Sequence, residues 1–111
     1  MVGYNIKLTT KDVDIIPSNG KNIVDGWISI SISKNSYFVY INNKNGNRVY
    51  WIGRIEHPIS AKLTIKFNDK KSMITFNSYK VIFHNPKQYN EIKQKSIFYN
   101  FINKDNNIIK F

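Results

Sequence analysis

The chain predicts a mainly β, α+β domain: a small antiparallel β-sheet or barrel closed by one C-terminal amphipathic helix. Three observations predict it. Apolar and polar residues alternate with period two over the first three quarters, as half-buried strands require. The pair Asn45-Gly46 stands between two aromatic runs, the strongest short-range signal for a β-hairpin. After Pro86 the apolar spacing lengthens to that of a helix.

In order along the chain, Tyr4 to Thr9 and Val13 to Ile16 are the first two strand candidates, and Pro17-Ser18-Asn19-Gly20 marks a loop after them. Trp27-Ile28-Ser29-Ile30-Ser31-Ile32-Ser33 is the clearest strand, with isoleucines on one face and serines on the other. Around the hairpin, a tight turn at Asn45-Gly46 pairs Tyr40 with Trp51, Ile41 with Tyr50 and Phe38 with Gly53. One face then carries Phe38, Tyr40, Val49 and Trp51. The other carries Tyr37, Val39, Ile41, Tyr50 and Ile52, with Arg48 and Arg54 at its edge. Both faces are apolar or aromatic, so this hairpin is either central and covered on both sides or leaves one aromatic face open as a binding platform. In Lys62-Leu63-Thr64-Ile65-Lys66-Phe67 the apolar residues point inward and the lysines outward. Ile74 and Phe76 continue the inward set after the turn 68–72, and Tyr79 to His84 is a further β-branched and aromatic strand.

At the C-terminal end, Asn85-Pro86 reads as an N-cap followed by proline at the first helical position, with Gln88 placed to close a capping box. The helix is expected over about 86–103. Tyr89, Ile92, Ile97, Phe98, Phe101 and Ile102 line its apolar side, and Glu91 and Lys95 sit at i,i+4 on the other. Residues 105–111 form a short tail. The strands span about 4–84, and the 111 residues fit one domain. Several antiparallel strands followed by one C-terminal helix resemble, in topology alone, the small barrels of the pleckstrin-homology type. That scaffold hosts many unrelated binding functions.

The charge carries most of the functional information. Fifteen Lys and two Arg against seven Asp and Glu give a formal net charge of +10, and fourteen Phe and Tyr are interleaved with them. Such a field concentrates polyanions at the surface. Residues 1–58 carry seven basic and four acidic side chains, or +3; residues 59–111 carry ten and three, or +7. Lys, Asn and Ile share A/T-rich codons, so codon bias is the alternative explanation of the charge to selection for a polyanion. The uneven distribution nonetheless points to a basic face in the second half. There is no cysteine, which excludes disulfides, thiolate metal sites and a cysteine nucleophile and fits a reducing cytosol. The longest apolar runs, such as 37–41, are far short of the ~20 residues of a membrane span, and the first residues lack the apolar run of a signal peptide. A soluble, cytoplasmic protein is expected, with no membrane partner.

Catalysis has little support. His57 and His84, each beside a turn, with a lysine are the residue types of a small metal-independent ribonuclease, but nothing in their spacing brings them together. The scattered acids, Asp12 and Asp14 included, form no metal constellation, and no glycine-rich phosphate loop is present. No catalytic residue, metal site or cofactor is assigned. For binding, Lys62, Lys66, Lys70 and Lys71 line an outward strand face and its turn, joined by Lys80 from a neighbouring strand. Lysines so arranged contact phosphates without reading sequence. Arg48, Arg54, Tyr40 and Trp51 complete the candidate set, the rings as base-stacking groups alongside Trp27 and Tyr50. With only two arginines, RNA or single-stranded DNA comes ahead of specific duplex recognition. The expected function is non-catalytic engagement of nucleic acid or of an acidic nucleoprotein surface. The alternative is a small inhibitor of the phage or mobile-element kind that binds a host defence protein in an infected cell, with the ribonuclease third.

Overall fold

Strict alternation in residues 27–33 buries Ile28, Ile30 and Ile32 completely and turns Trp27 and Ser31 to the opposite, half-buried face. A computed structural model of the chain describes residues 6–18, 23–42, 49–56, 62–103 and 105. Its elements are β1 (Ile6–Ile16), β2 (Ile23–Ile32), β3 (Ser36–Asn42), β4 (Val49–Glu56), β5 (Ile65–Asn68), β6 (Met73–Phe76), β7 (Tyr79–Phe83) and α1 (Pro86–Phe98). The seven strands form one sheet in the order β4-β3-β2-β1-β7-β6-β5, antiparallel at every pairing. The sheet is curled into a half-barrel, with the helix C-terminal to it. Strands first and one helix last is the order the sequence predicted.

The two N-terminal strand candidates are one strand. The ladder to β2 shifts between Thr10 and Val13, where the Asp12 amide donates to the Thr10 hydroxyl at 3.0 Å. A bulge of this kind bends a strand and raises its twist. Before it, Ile6 to Thr10 pair with β2; beyond it, Val13 to Ile16 also pair with β7. Thus β1 joins the two halves of the curled sheet. A second irregularity corrects the hairpin. Tyr40 pairs with Trp51 and Ile41 with Tyr50 as expected, but the register slips at Ile52, so Phe38 faces Arg54 rather than Gly53. Arg54 therefore shares the face of Phe38 and Trp51. The hairpin is also not central, because β4 is an edge strand. Its Asn45-Gly46 turn lies outside the described residues.

The edges β4 and β5 are clasped by one side chain. Asn77 opens the two-residue turn between β6 and β7 with φ 54°, a left-handed conformation that Asn tolerates well. Its Oδ1 accepts from the Thr64 amide at 2.9 Å and the Thr64 hydroxyl at 3.3 Å, and its Nδ2 donates to the Ile52 carbonyl at 3.1 Å. Behind this clasp, the inward residues of both halves and α1 form a single core. Tyr89 of α1 meets Phe67 and Phe83 at 5.9 and 6.4 Å between ring centroids. Ser96, near the other end of α1, donates to the Tyr37 hydroxyl at 3.2 Å. Burial pushes the Tyr37 phenol up from its ordinary pKa, a shift that the bond from Ser96 partly offsets.

The helix starts as predicted and stops sooner. Asn85 caps it, accepting from the Lys87 amide at 2.9 Å, and Pro86 opens its first turn. The capping box is not closed, since the Gln88 Oε1 has no hydrogen-bond partner among the described residues. At the far end Asn100 turns left-handed with φ 60°. The Phe101 amide then bonds the Ser96 carbonyl and the Asn100 amide bonds the Ile97 carbonyl, both at 2.9 Å. This is a Schellman C-cap, for which Asn is a known substitute for Gly. The reversal sends Phe101 and Ile102 into the core and leaves Phe98 outside it, 66% exposed. Lys95, expected on the solvent side, is instead buried, with its ammonium 4.9 Å from the Phe98 ring centroid and 5.5 Å from that of Tyr99.

Candidate functional site

The ladders arrange the outward residues of β1 to β4 as a grid. One cross-strand row runs Lys7, Ser31, Phe38, Arg54. The next runs Thr9, Ser29, Tyr40, Trp51, and a third pairs Trp27 with Asn42. Side chains directly opposite on neighbouring strands touch, so the rings make a continuous patch. Tyr40 meets Trp51 edge-on at 5.0 Å, and Phe38 lies 5.9 Å from Trp51, tilted by 53°. Trp51 keeps half of its surface exposed, at 50%. The hairpin thus buries one face only, and the aromatic one stays open.

Beside the rings the small side chains of β2 leave a depression. Ser29 and Ser31 line a groove of about 460 Å³ walled by Trp27, Phe38, Tyr40 and Lys7. The Thr9 and Ser29 hydroxyls are hydrogen-bonded at 3.2 Å, presenting a short row of polar groups on the β1 side. Cations stand at both ends of the Phe38 row. Lys7 is exposed, and Arg54 lies 3.4 Å from Glu56 in an exposed pair that contributes little. A surface of flat rings with a hydroxyl-bearing groove and cationic ends can hold a planar, anionic, flexible ligand.

The predicted lysines occupy the other half of the sheet. Lys66, Thr75 and Lys80 form one row across β5, β6 and β7, continued by Ile16 of β1. Lys62, just before β5, is exposed, and its carbonyl oxygen lies 3.4 Å from where a Cβ on Gly53 would stand. Lys70 and Lys71 are exposed in the turn between β5 and β6. That turn is tied to α1 through Asp69, whose two carboxylate oxygens accept from Lys93 at 2.8 and 2.7 Å and which also accepts from the Tyr89 hydroxyl. The bonds from Lys93 and then Tyr89 hold the Asp69 carboxyl below its ordinary pKa. Burial, then the bond to Asp69, push the Tyr89 phenol up.

The structure therefore brings together Tyr40, Trp51 and Arg54, and separately Lys66 and Lys80. The two sets lie on different halves of the sheet, whose edges approach where Asn77 ties Ile52 of β4 to Thr64 before β5. Arg48 and His57 lie outside the described residues. His84 is exposed, with its Nε2 3.0 Å from Asp14 Oδ1. Sequence reasoning missed Lys7 and the serine floor of the groove, and it put Arg54 on the wrong face. A glycine inside a strand often marks a bulge, so Gly53 was the available signal for Arg54. Lys7 lay in a candidate strand whose register to β2 no local pattern specifies. Among the described residues no three His, Asp or Glu are grouped to hold a metal ion, and no helix is long and apolar enough to cross a membrane. No protein-family model, curated protein or solved structure matches the chain.

Proposed function

We propose that this protein is a non-catalytic binder of single-stranded nucleic acid, RNA or single-stranded DNA, which seats bases on the outer face of β1 to β4. The observation that carries the reading is Trp51, half-exposed and packed edge-on against Tyr40 beside an open groove lined by Lys7, with Arg54 across from Phe38 at the other end of that row. Every base has a π-face, so stacking on such rings tolerates any sequence. In a chain of net charge +10 the phosphates supply the complementary partner. Reading a duplex is not what this surface suits. The helix α1 packs Tyr89 and Ile92 into the core, and its exposed side carries Glu91 and Phe98, which suit a phosphate-lined major groove poorly.

The test is a titration of the purified protein with unlabelled short oligoribonucleotides and oligodeoxyribonucleotides, followed by tryptophan fluorescence and repeated in rising salt. Binding should quench the fluorescence and weaken as salt increases. Tyr40→Ala and Trp51→Ala, the latter followed with a dye-labelled strand, should each raise Kd about five- to 150-fold, equivalent to ~1–3 kcal/mol for one lost stack. No quench at ~50 mM salt, where phosphate-driven binding is strong, overturns the reading. A nuclease-resistant complex with a protein partner, abolished by Trp51→Ala, would replace it with the inhibitor reading.

A further inference from the structure

We infer that the lysine face of β5 to β7 is a second, phosphate-only contact site, and that the protein uses its two faces to bring two nucleic-acid strands together. The inference rests on the single-strand reading of the β1–β4 face and adds a second strand to it. The outward side chains of β5 to β7 are Lys66, Asn68, Met73, Thr75, Lys80 and Ile82. None is aromatic, so this face offers nothing for a base to stack on. It offers charge. Lys66 and Lys80 flank Thr75 in one row, two strand spacings or ~10 Å apart, with Lys62 before β5 and Lys70 and Lys71 in the adjoining turn.

That charge is not neutralised from within. Among the described residues none of these five lysines is in an ion pair. On the same half of the sheet, Asp14 is engaged with His84 at 3.0 Å and Asp69 with Lys93 at 2.7 Å. Point charges on flexible stems suit phosphates of any sequence. The middles of the two faces point apart on the curled sheet, although its edge strands approach where Asn77 ties Ile52 of β4 to Thr64 before β5. Tyr40 of β3 and Lys80 of β7 stand three positions apart in the sheet order, roughly 14 Å along the curve. A strand stacked across β1 to β4 therefore leaves β5 to β7 uncovered. A second polyanion bound there is held close to the first, with part of their mutual repulsion offset by the protein. Complementary strands so held should pair faster.

The experiment follows the annealing of two complementary oligonucleotides carrying donor and acceptor dyes, with wild-type protein, Lys66→Gln/Lys80→Gln and Tyr40→Ala/Trp51→Ala. The glutamines sit at exposed positions, and unchanged thermal melting confirms that the fold is kept. Wild type should accelerate annealing. Lys66→Gln/Lys80→Gln should lose most of that acceleration while its tryptophans are still quenched by one unlabelled strand. For the second strand, the slope of log affinity against log salt should fall by ~1.4, the value for two lost single-strand phosphate contacts. Annealing by Lys66→Gln/Lys80→Gln at the wild-type rate overturns the inference. So does a wild type that is quenched by one strand yet accelerates nothing. Loss of the quench in Lys66→Gln/Lys80→Gln also overturns it, by showing one continuous site. Absence of any quench in the wild type is a different outcome, and removes the single-strand reading on which the inference stands.

Discussion

The β1–β4 and β5–β7 halves of the sheet share one inward chemistry and differ in everything they turn outward. Inside, both present fully buried β-branched or aromatic residues: Ile28, Ile30, Tyr37 and Val39 in one, Ile74, Phe76 and Val81 in the other. Outside, the first half shows Trp27, Phe38, Tyr40 and Trp51 around a serine-floored groove, and the second shows Lys66 and Lys80 around Thr75. Strand length differs too: β2 and β3 run 10 and 7 residues, whereas β5, β6 and β7 run 4, 4 and 5. Core packing constrains only alternate positions of a strand. The remaining positions are free to specialise, and here they do so separately on either side of β1.

The comparison breaks most severely if the halves do not share a core. Phe101, completely buried and 5.4 Å from the Tyr37 ring, attaches the segment after α1 to the first half. Phe101→Ala should cost ~3–5 kcal/mol and melt both halves in one transition. Two transitions by hydrogen exchange would mean that they fold independently. The next largest effect concerns Asn77, which joins the β4 and β5 edges. Asn77→Ala loses three side-chain hydrogen bonds and puts a less tolerant residue at a positive φ, for an expected loss of about 2–3 kcal/mol by urea denaturation. A change within ~0.5 kcal/mol, the usual scatter for surface substitutions, would show that the edges hold without the clasp.

Smaller still, Asp69→Asn separates the lysine-bearing turn from α1, with a cost at neutral pH of no more than about 1 kcal/mol because the pair is solvent-screened. The sign with pH follows from the direction of the shift. Asp69 titrates below its ordinary 3.8 in the folded protein, so its contribution is full above that pH and fades as pH falls through the folded value. The difference in Tm between wild type and Asp69→Asn should shrink steadily below pH ~4. A constant difference down to pH ~2 would remove Asp69 ionisation as its cause. Smallest of all, His84→Ala should leave the tryptophan quench by a single strand unchanged, since His84 lies on the lysine half, away from Trp51 and paired to Asp14. Loss of a cleavage activity in that variant would favour the ribonuclease reading.

Much of this was legible in the residues because alternation is a direct consequence of burial. Ile28, Ile30 and Ile32 of β2, the inward set Leu63, Ile65 and Phe67, and the cap Asn85-Pro86 sit where period and capping chemistry place them. What was not legible depends on contacts remote in sequence. The bulge at Ile52 moves Arg54 to the other face, and its signature is a single glycine. The helix end needed Asn100 to be recognised as a left-handed cap. Without it, Phe98 and Phe101 seem to share one stripe although the chain reverses between them. Of the site, the aromatic pair Tyr40 and Trp51 followed from the hairpin register. The groove did not, because it is made by the pairing of β2 with β1, twenty residues away at Thr9 and Ser29.

One further consequence belongs to β4. An edge strand with aliphatic and aromatic residues is a template on which other chains add as β-strands, the first step toward aggregates. This one is defended three times over: by the register slip at Ile52, by the charges of Arg54 and Glu56, and by Asn77 occupying the Ile52 carbonyl from the side. A chain that keeps Trp51 half exposed runs the risk of self-association, and the clasp lowers it by blocking the backbone rather than hiding the ring. Losing the clasp should therefore be felt in how long the protein stays in solution at high concentration, before any change in what it binds.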